Sequence, residues 1–197
     1  MNEHASVQSA AVVAYADPRW RELRDLVETL SLKRGDFVLS SGRKSNYLFQ
    51  LRQTTMHPRG AQLIGDIIAD YMRRVSISCV GGLELGAVPV VCAVAVMSAV
   101  KEHPVRAFFA RKQAKEHGAR ELLDGHVEDG EEVLIVDDVA TTGGSVLKTI
   151  ANMKLERPAC YARKALVVID REEGAAESLA TQGIELVSIF KRRDFPV

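Results

Sequence analysis

Residues 133–145 have the sequence Val-Leu-Ile-Val-Asp-Asp-Val-Ala-Thr-Thr-Gly-Gly-Ser, the stretch that says most about the fold class. Four consecutive aliphatic residues predict a strand buried on both faces, which is typical of a parallel sheet. Two adjacent carboxylates, Asp137 and Asp138, follow this strand, and a turn of small and hydroxyl-bearing residues then leads into a predicted helix. Because such sheets bind ligands at the carboxyl ends of their strands, the stretch also predicts a site.

The chemistry of this predicted site suits a phosphorylated sugar. Its glycines let the backbone approach a ligand, and the first N–H groups of the helix, with the hydroxyls of Thr141, Thr142 and Ser145, predict a phosphate cradle. Since carboxylates repel phosphate, Asp137 and Asp138 are expected to accept hydrogen bonds from the hydroxyls of a ribose. The alternative is that the pair only caps the turn. Capping accounts for one carboxylate, but the negative charge of the second would then have no partner at the end of a buried strand.

The rest of the chain predicts strands and helices in alternation. Predicted strands lie at 37–39, 47–51, 77–80, 105–110, 133–136, 165–169 and 184–190. Predicted helices begin at Asp17-Pro18, after His57 and at Ala87, and two more cover about 145–155 and 172–182. The chain is therefore expected to be a single domain over 1–197 with an α/β fold, a mainly parallel sheet flanked by helices. Residues 1–16 are expected to form a loose arm, and about 17–57 an N-terminal helix and short strands.

Composition and charge narrow the function classes. Lys and Arg number 26, as do Asp and Glu, so the formal net charge is zero, which argues against non-specific nucleic-acid binding. The longest apolar stretch, Val88 to Val100, is too short to cross a bilayer and is predicted to be a core helix, so no membrane partner is expected. Cys79, Cys92 and Cys160 are widely spaced, which favours reduced thiols in a cytoplasmic protein over disulfides or a zinc site.

A basic segment at 106–120 stands out within this neutral chain. It contains five cationic residues and one acidic residue, Glu116; the cationic residues are Arg106, Arg111, Lys112, Lys115 and Arg120. Its run at 111–118 follows the predicted strand 105–110, has no apolar helical stripe and ends in Gly118, so a mobile loop is expected there. Such residues suit a polyanionic ligand: an arginine can form two parallel hydrogen bonds with phosphate oxygens, a lysine adds a positive charge, and His117 can carry a proton near neutral pH. A solvated charged loop with no ligand explains these residues equally well on their own.

Two of these segments resemble a known family. The stretch at 137–145 resembles the phosphoribosyl-pyrophosphate (PRPP) motif of type I phosphoribosyltransferases, and the pattern R-K-x-A-K-x-H-G at 111–118 resembles the catalytic loop of the orotate phosphoribosyltransferases. The resemblance implies a type I phosphoribosyltransferase fold with a small hood built largely from the N-terminal part. It implies a pentosyltransferase that converts orotate and PRPP to orotidine 5'-monophosphate and pyrophosphate in UMP biosynthesis.

The resemblance also implies partners and PRPP-binding residues. Mg²⁺ is expected to be bound mainly through PRPP, and the protein is expected to be a homodimer whose basic loop acts across the interface. Asp137 and Asp138 are expected to hold the ribose hydroxyls. The turn expected to bind the 5-phosphate consists of Val139, Ala140, Thr141, Thr142, Gly143, Gly144 and Ser145. The residues expected both to bind PRPP and to act in catalysis are Arg111, Lys112, Lys115 and His117, with Lys112 foremost.

The implied orotate-binding residues are Leu48, Phe49, Thr141 and Arg171. Arg171 follows an aliphatic strand at the ligand edge of the sheet, where a guanidinium can form two parallel bonds with a carboxylate. The residues alone leave open a surface arginine paired with Glu172 or Glu173. Leu48 and Phe49 are implied as a wall beside the pyrimidine, and the alternative is that both are ordinary core residues of a strand.

The sequence departs from the family pattern at two places. Well-known members carry lysines at the positions of Ser40 and Gly86, the latter within the turn 81–86 that is expected to bind pyrophosphate through backbone N–H groups. The missing charge is expected to come from Lys44, Arg111 or magnesium.

Two other functions stay open at this stage: a type I phosphoribosyltransferase for another base, and a non-catalytic PRPP-sensing regulator that binds nucleic acid. The basic segment and Arg171 favour orotate over another base. The zero net charge and the absence of a recognisable nucleic-acid-binding motif disfavour the regulator.

Overall fold

The structure is a computed structural model that describes residues 11–38, 44–113 and 121–197. Several predicted features therefore lie outside the described residues. They are most of the expected arm at 1–16, the end of the first predicted strand at residue 39, Ser40, and the basic-segment residues Lys115, His117 and Arg120.

The described strands of the central sheet are β3 Cys79–Leu83, β4 Arg106–Ala110, β5 Leu123–Gly125, β6 Glu132–Ala140, β7 Tyr161–Asp170 and β8 Glu185–Lys191. They lie in the order β5-β4-β3-β6-β7-β8. Neighbouring strands pair in parallel except β4 and β5, which are antiparallel. The mainly parallel sheet predicted from the sequence is confirmed. Strand β5 was not predicted, because the short sequence Leu-Asp-Gly has no aliphatic run to signal it.

The predicted helices begin close to their predicted positions, and the short helix α2 was not predicted. The bounds are α1 Pro18–Leu26, α2 Arg52–Thr55, α3 Pro58–Val75, α4 Ala87–Val100, α5 Gly144–Glu156 and α6 Ala175–Ala180, with a π-helical turn at Val27–Ser31 after α1. Asp17 caps α1 by accepting a hydrogen bond from the N–H of Arg19. Helix α6 begins three residues later than predicted, because Glu172 and Gly174 have positive φ angles that a helix does not allow.

Both faces of the sheet are covered, and strand β6 shows this most directly. Leu134 and Val136 belong to a buried cluster shared with α3 and α4, whereas Val133 and Ile135 belong to a second cluster shared with α5. Successive residues of a strand point to opposite faces, so an uninterrupted aliphatic run is what a sheet between two helical layers requires.

Helix α4 is only partly the core helix that its apolar sequence predicts. Val90, Val91 and Val94 are buried against the sheet and α3, but Val96 and Val100 are 62% and 68% exposed. The helix is apolar on all sides, so it leaves an apolar stripe on the surface of the described chain. No helix among the described residues is long and apolar enough to span a membrane.

The hood consists of an antiparallel hairpin, β1 Leu32–Val38 and β2 Lys44–Phe49. A row of aromatic rings fixes it to the C-terminal end of the chain. The Phe49 ring lies 5.5 Å from Tyr47 and 5.2 Å from Phe195, and Phe195 in turn lies 5.5 Å from Phe190 of β8. These edge-to-face contacts hold the hairpin beside the carboxyl end of the sheet.

Candidate active site

The carboxyl ends of β6 and β7 form the floor of the candidate site. Ala140 at the end of β6 pairs with Asp170 at the end of β7, and the N–H of Arg171 donates to the Ala140 carbonyl at 3.0 Å. The predicted phosphate turn and the predicted orotate-binding arginine therefore lie side by side, although 30 residues separate Thr141 from Arg171 in the chain. Parallel strands have their carboxyl ends at one edge of the sheet, which is why the sequence could predict that the turn after β6 and Arg171 after β7 lie close together.

The two carboxylates at the end of β6 are poorly solvated. Asp137 is 7% exposed and Asp138 is half-buried. Burial, together with the negative charge of Asp138, raises the pKa of Asp137 to about 7. Burial also raises the pKa of Asp138, while the positive charge of Arg52 opposes that rise. A ligand that donates hydrogen bonds to the charged carboxylates would relieve this destabilisation.

The turn after the acid pair encloses a cavity of about 210 Å³, lined by Asp137 and residues 139–146. Gly143 has φ +82°, and a Cβ there would lie 3.1 Å from Leu179, so glycine suits this position. Within the described residues, no side chain caps the N-terminus of α5, which begins at Gly144. Its first N–H groups are thus available to an anion in the cavity.

The start of the basic segment is anchored by carboxylates that sequence reasoning missed. The Arg111 guanidinium pairs with Asp124 of β5 and lies 4.0 Å from Glu84, and the backbone N–H of Lys112 donates to Glu84 Oε1 at 2.8 Å. Asn152 donates to the Arg111 carbonyl at 2.6 Å. The Lys112 side chain is exposed.

The predicted turn 81–86 is wrong for its first three residues, which belong to the buried strand β3, where a Cβ at Gly81 would overlap the Phe108 ring. Only residues 84–86 form the turn, and Glu84 of this turn places the run that begins at Arg111 directly beside it.

Gly86 of that turn lies against the acid pair. A Cβ at Gly86 would be 2.8 Å from Asp138 Oδ1 and 3.2 Å from Asp137 Oδ1. With this backbone, any larger side chain, including the lysine that the family resemblance implies at this position, would displace the carboxylate, which gives a steric reason for glycine here.

Arg171 is buried, with an exposure of 6%, so the alternative of a surface arginine does not describe it. The ion pair with Glu173 that the alternative proposed is present nonetheless, because Glu173 Oε1 lies 2.8 Å from Arg171 Nε. On β2, Phe49 is buried among aromatic rings and Leu48 is half-buried on the opposite face of the strand. Tyr47, which shares the face of Phe49, contacts Arg171 and was not predicted as a site residue. Its only sequence signal was its position two residues before Phe49.

The chain matches a family model and several known proteins. The model describes a phosphoribosyl transferase domain and matches residues 52–192. The orotate phosphoribosyltransferase of Rhodopseudomonas palustris (strain TIE-1) is 41% identical over 88% of this chain and 94% of its own. That of Rhodopirellula baltica is 36% identical over 86% of this chain and 90% of its own.

Solved structures agree with these matches. An orotate phosphoribosyltransferase of Mycobacterium tuberculosis H37Rv superposes with a TM-score of 0.80 and 36% identity, covering 91% of this chain and 100% of that one. The same enzyme in complex with PRPP gives a TM-score of 0.74 at 34% identity over 90% of this chain and 98% of that one. With its sheet, its acid pair and these relatives in agreement, the chain belongs to the phosphoribosyl transferase family, and within it to the orotate phosphoribosyltransferases.

Proposed function

We propose that the protein transfers the phosphoribosyl group of PRPP to orotate, giving orotidine 5'-monophosphate and pyrophosphate, the transfer step of UMP biosynthesis. The observation that carries the proposal is one juxtaposition at the edge of the sheet. A buried acid pair, an uncapped helix N-terminus and a buried arginine lie together, with the Arg171 N–H bonded to the Ala140 carbonyl. These three groups suit the ribose hydroxyls, the 5-phosphate and the carboxylate of orotate. The related enzyme of M. tuberculosis was solved with PRPP.

PRPP would be held by the end of β6 and the start of α5. Asp137 and Asp138 accept hydrogen bonds from the ribose hydroxyls, which favours the charged carboxylates and lowers the raised pKa of Asp137. Residues 139–145 surround the 5-phosphate, and the first N–H groups of α5 donate to its oxygens.

Orotate would lie between the ribose and the end of β7. Its carboxylate pairs with the Arg171 guanidinium, with the Thr141 hydroxyl nearby. Leu48 and Phe49 of the hood border the pyrimidine, only one of them through its side chain, because the two side chains lie on opposite faces of β2. A buried guanidinium binds a carboxylate more strongly than an exposed one does, because water competes less for its N–H groups.

The basic segment would act on the leaving group. Pyrophosphate leaves the anomeric carbon with the bonding electron pair, and the oxocarbenium-like ribose is then attacked by the pyrimidine nitrogen, which releases its N–H proton as the N–C bond forms. Negative charge grows on pyrophosphate, so Arg111, Lys112, Lys115 and His117 stabilise the transition state more than the ground state. Exclusion of water by this segment protects the ribosyl cation from hydrolysis. Lys112 is the foremost residue because the family's key loop lysine falls on it by resemblance. In support, its backbone N–H donates to Glu84 in the turn 84–86.

Magnesium fits the donor set of this site. Carboxylate oxygens are ligands that Mg²⁺ prefers, and a cation near the acid pair would favour its charged form, which burial disfavours in the free protein. Mg²⁺ bound through PRPP would neutralise part of the charge of the pyrophosphate. It would also replace the positive charge of the lysine that the family resemblance implies at the position of Gly86. Arg111 is less suited to that task, because it is already paired with Asp124.

We also propose a homodimer in which a second copy covers the apolar stripe of α4. Leu85, Val96 and Val100 are each more than half exposed, and Cys92 is exposed between them. Contiguous exposed apolar side chains of this kind mark interaction surfaces. Leu85 extends this exposed apolar surface into the turn 84–86 just before α4, so an interface there would bring the basic segment of one copy close to the site of the other. A cytoplasmic location stays a prediction from cysteine usage.

The deciding experiment mixes the purified protein with orotate, PRPP and Mg²⁺ and follows the loss of orotate absorbance. Adenine, hypoxanthine and uracil serve as parallel substrates. Magnesium-dependent turnover of orotate alone is expected. Turnover of another base in place of orotate would move the protein to a different phosphoribosyltransferase activity. PRPP binding without turnover of any of the four bases would favour a regulator.

A further inference from the structure

The hood and the sheet are joined at Arg171 by a contact that the reaction scheme above does not use. Arg171 Nη2 donates to the Tyr47 hydroxyl at 3.2 Å, and the Arg171 Cζ atom lies 4.9 Å from the centroid of the Tyr47 ring. Both side chains are buried. On its other side, Arg171 Nε lies 2.8 Å from Glu173 Oε1. The guanidinium is thus held between an aromatic residue of β2 and a carboxylate just after β7.

This arrangement restricts how the guanidinium can turn. The ring favours a cation near its face, the hydroxyl accepts from one terminal nitrogen, and Glu173 attracts the inner nitrogen. The hydrogen bond and the ring contact from Tyr47, together with the charge of Glu173 beside Nε, restrict the plane in which the remaining N–H groups of Arg171 point. Bidentate pairing with a carboxylate depends on that plane, since both N–H donors must reach both oxygens together.

We infer that Tyr47 is a positioning residue for Arg171, and that it determines the preference of the site for a base that carries a carboxylate. The inference rests on the proposed function, because it assigns the Arg171 guanidinium to the carboxylate of the base. Tyr47 acts through Arg171, from the hood, and its removal is expected to weaken binding of the base while leaving PRPP binding unchanged.

The test compares Tyr47→Phe with the wild type by steady-state kinetics in which orotate and PRPP are varied separately. The variant loses the hydrogen bond between the Arg171 guanidinium and the Tyr47 hydroxyl, and the less well oriented guanidinium is expected to raise the KM for orotate about 3- to 10-fold. The KM for PRPP and kcat are expected to stay within about twofold of the wild type, because the phenylalanine ring still fills the same space. Equal rises in both KM values would indicate a general structural role and would overturn the inference.

A matched control exists at the opposite end of β7. Tyr161 is 40% exposed, and the Arg163 Cζ atom lies 5.5 Å from its ring centroid, so Tyr161→Phe removes a hydroxyl from another tyrosine–arginine pair. That variant is expected to match the wild type in both KM values. A rise in its KM for orotate similar to that of Tyr47→Phe would also overturn the inference.

A double-mutant cycle separates positioning from direct contact with the base. In an Arg171→Ala background, Tyr47→Phe is expected to change kcat/KM for orotate by less than about twofold, since no guanidinium remains to be oriented. A full effect in that background would show that Tyr47 acts without Arg171. Failure of the wild type to bind or convert orotate would overturn the proposed function and this inference together, whereas an active wild type matched by Tyr47→Phe would overturn this inference alone.

Discussion

At the scale of single residues, the acid pair destabilises the protein in the absence of ligand. The folded-state pKa of Asp137 is raised from 3.8 to about 7, so the folded state binds this proton more tightly than the unfolded state does. Stability from that proton is fully present below the unfolded pKa and is lost as the pH rises through about 7.

Asp137→Asn is therefore expected to unfold at a higher temperature than the wild type at pH 8, with a smaller difference at pH 5, while losing affinity for PRPP. Thermal unfolding at the two pH values, without ligand, measures this. Asp129→Asn is the control, because Asp129 is exposed and is expected to show little change at either pH. A variant no more stable than the wild type at pH 8 would mean that the buried charge is compensated within the free protein.

Under the proposed function, recognition of the base depends on Arg171. Arg171→Ala is expected to raise the KM for orotate about 10- to 100-fold, because hydrogen bonds to charged groups are worth about 1.5–3 kcal/mol. The KM for PRPP is expected to change little. Arg163→Ala is a matched control, since Arg163 also pairs with a glutamate, Glu132, and lies over a tyrosine ring, but is 68% exposed. Parallel losses for orotate and PRPP in Arg171→Ala would contradict the assignment.

At the scale of elements, the part of the basic segment that follows β4 and begins at Arg111 is expected to provide most of the stabilisation of the leaving pyrophosphate. Lys112→Ala is expected to lower kcat about 100- to 1,000-fold, the usual effect of removing one donor that acts in the transition state. The melting temperature is expected to stay unchanged, because the side chain is exposed. Lys154→Ala, an exposed lysine near the end of α5, is the control. Wild-type turnover in Lys112→Ala would remove this lysine from the mechanism.

The sequence predicted the elements whose signal is local and missed those that depend on partners. Strand β6 and the turn after it were predictable because an aliphatic run, two carboxylates and glycines follow one another directly. Strand β5 exists because β4 offers it a pairing edge, and its three residues carry no signal of their own. The contact between Tyr47 and Arg171 joins residues 124 apart in the chain, and only the packing of the hood against the sheet creates it.

At the scale of the whole molecule, the two faces of the sheet have different tasks. Helix α5 covers one face and presents its N-terminus to the site, so burial on this side also builds the phosphate cavity. Helix α4 covers the other face together with α3, yet an apolar stripe from Val96 to Val100 remains exposed. A monomer gains nothing from that stripe, since exposed apolar area lowers solubility without adding stability. In the proposed homodimer, a second copy would bury these side chains together with the exposed Leu85, which lies in the turn 84–86 before α4.

Complementation between two inactive variants tests whether the basic segment acts across that interface. Lys112→Ala lacks the foremost residue of the segment, and the double variant Asp137→Asn/Asp138→Asn lacks the acid pair, so each alone is expected to be nearly inactive. In a 1:1 mixture of exchanging dimers, half are hybrids, and each hybrid has one intact site if the segment acts in trans. Activity should then return to about a quarter of the wild-type value. Differently tagged chains that co-purify verify that hybrids have formed. Hybrids that form but stay inactive would show that each segment serves the site of its own chain.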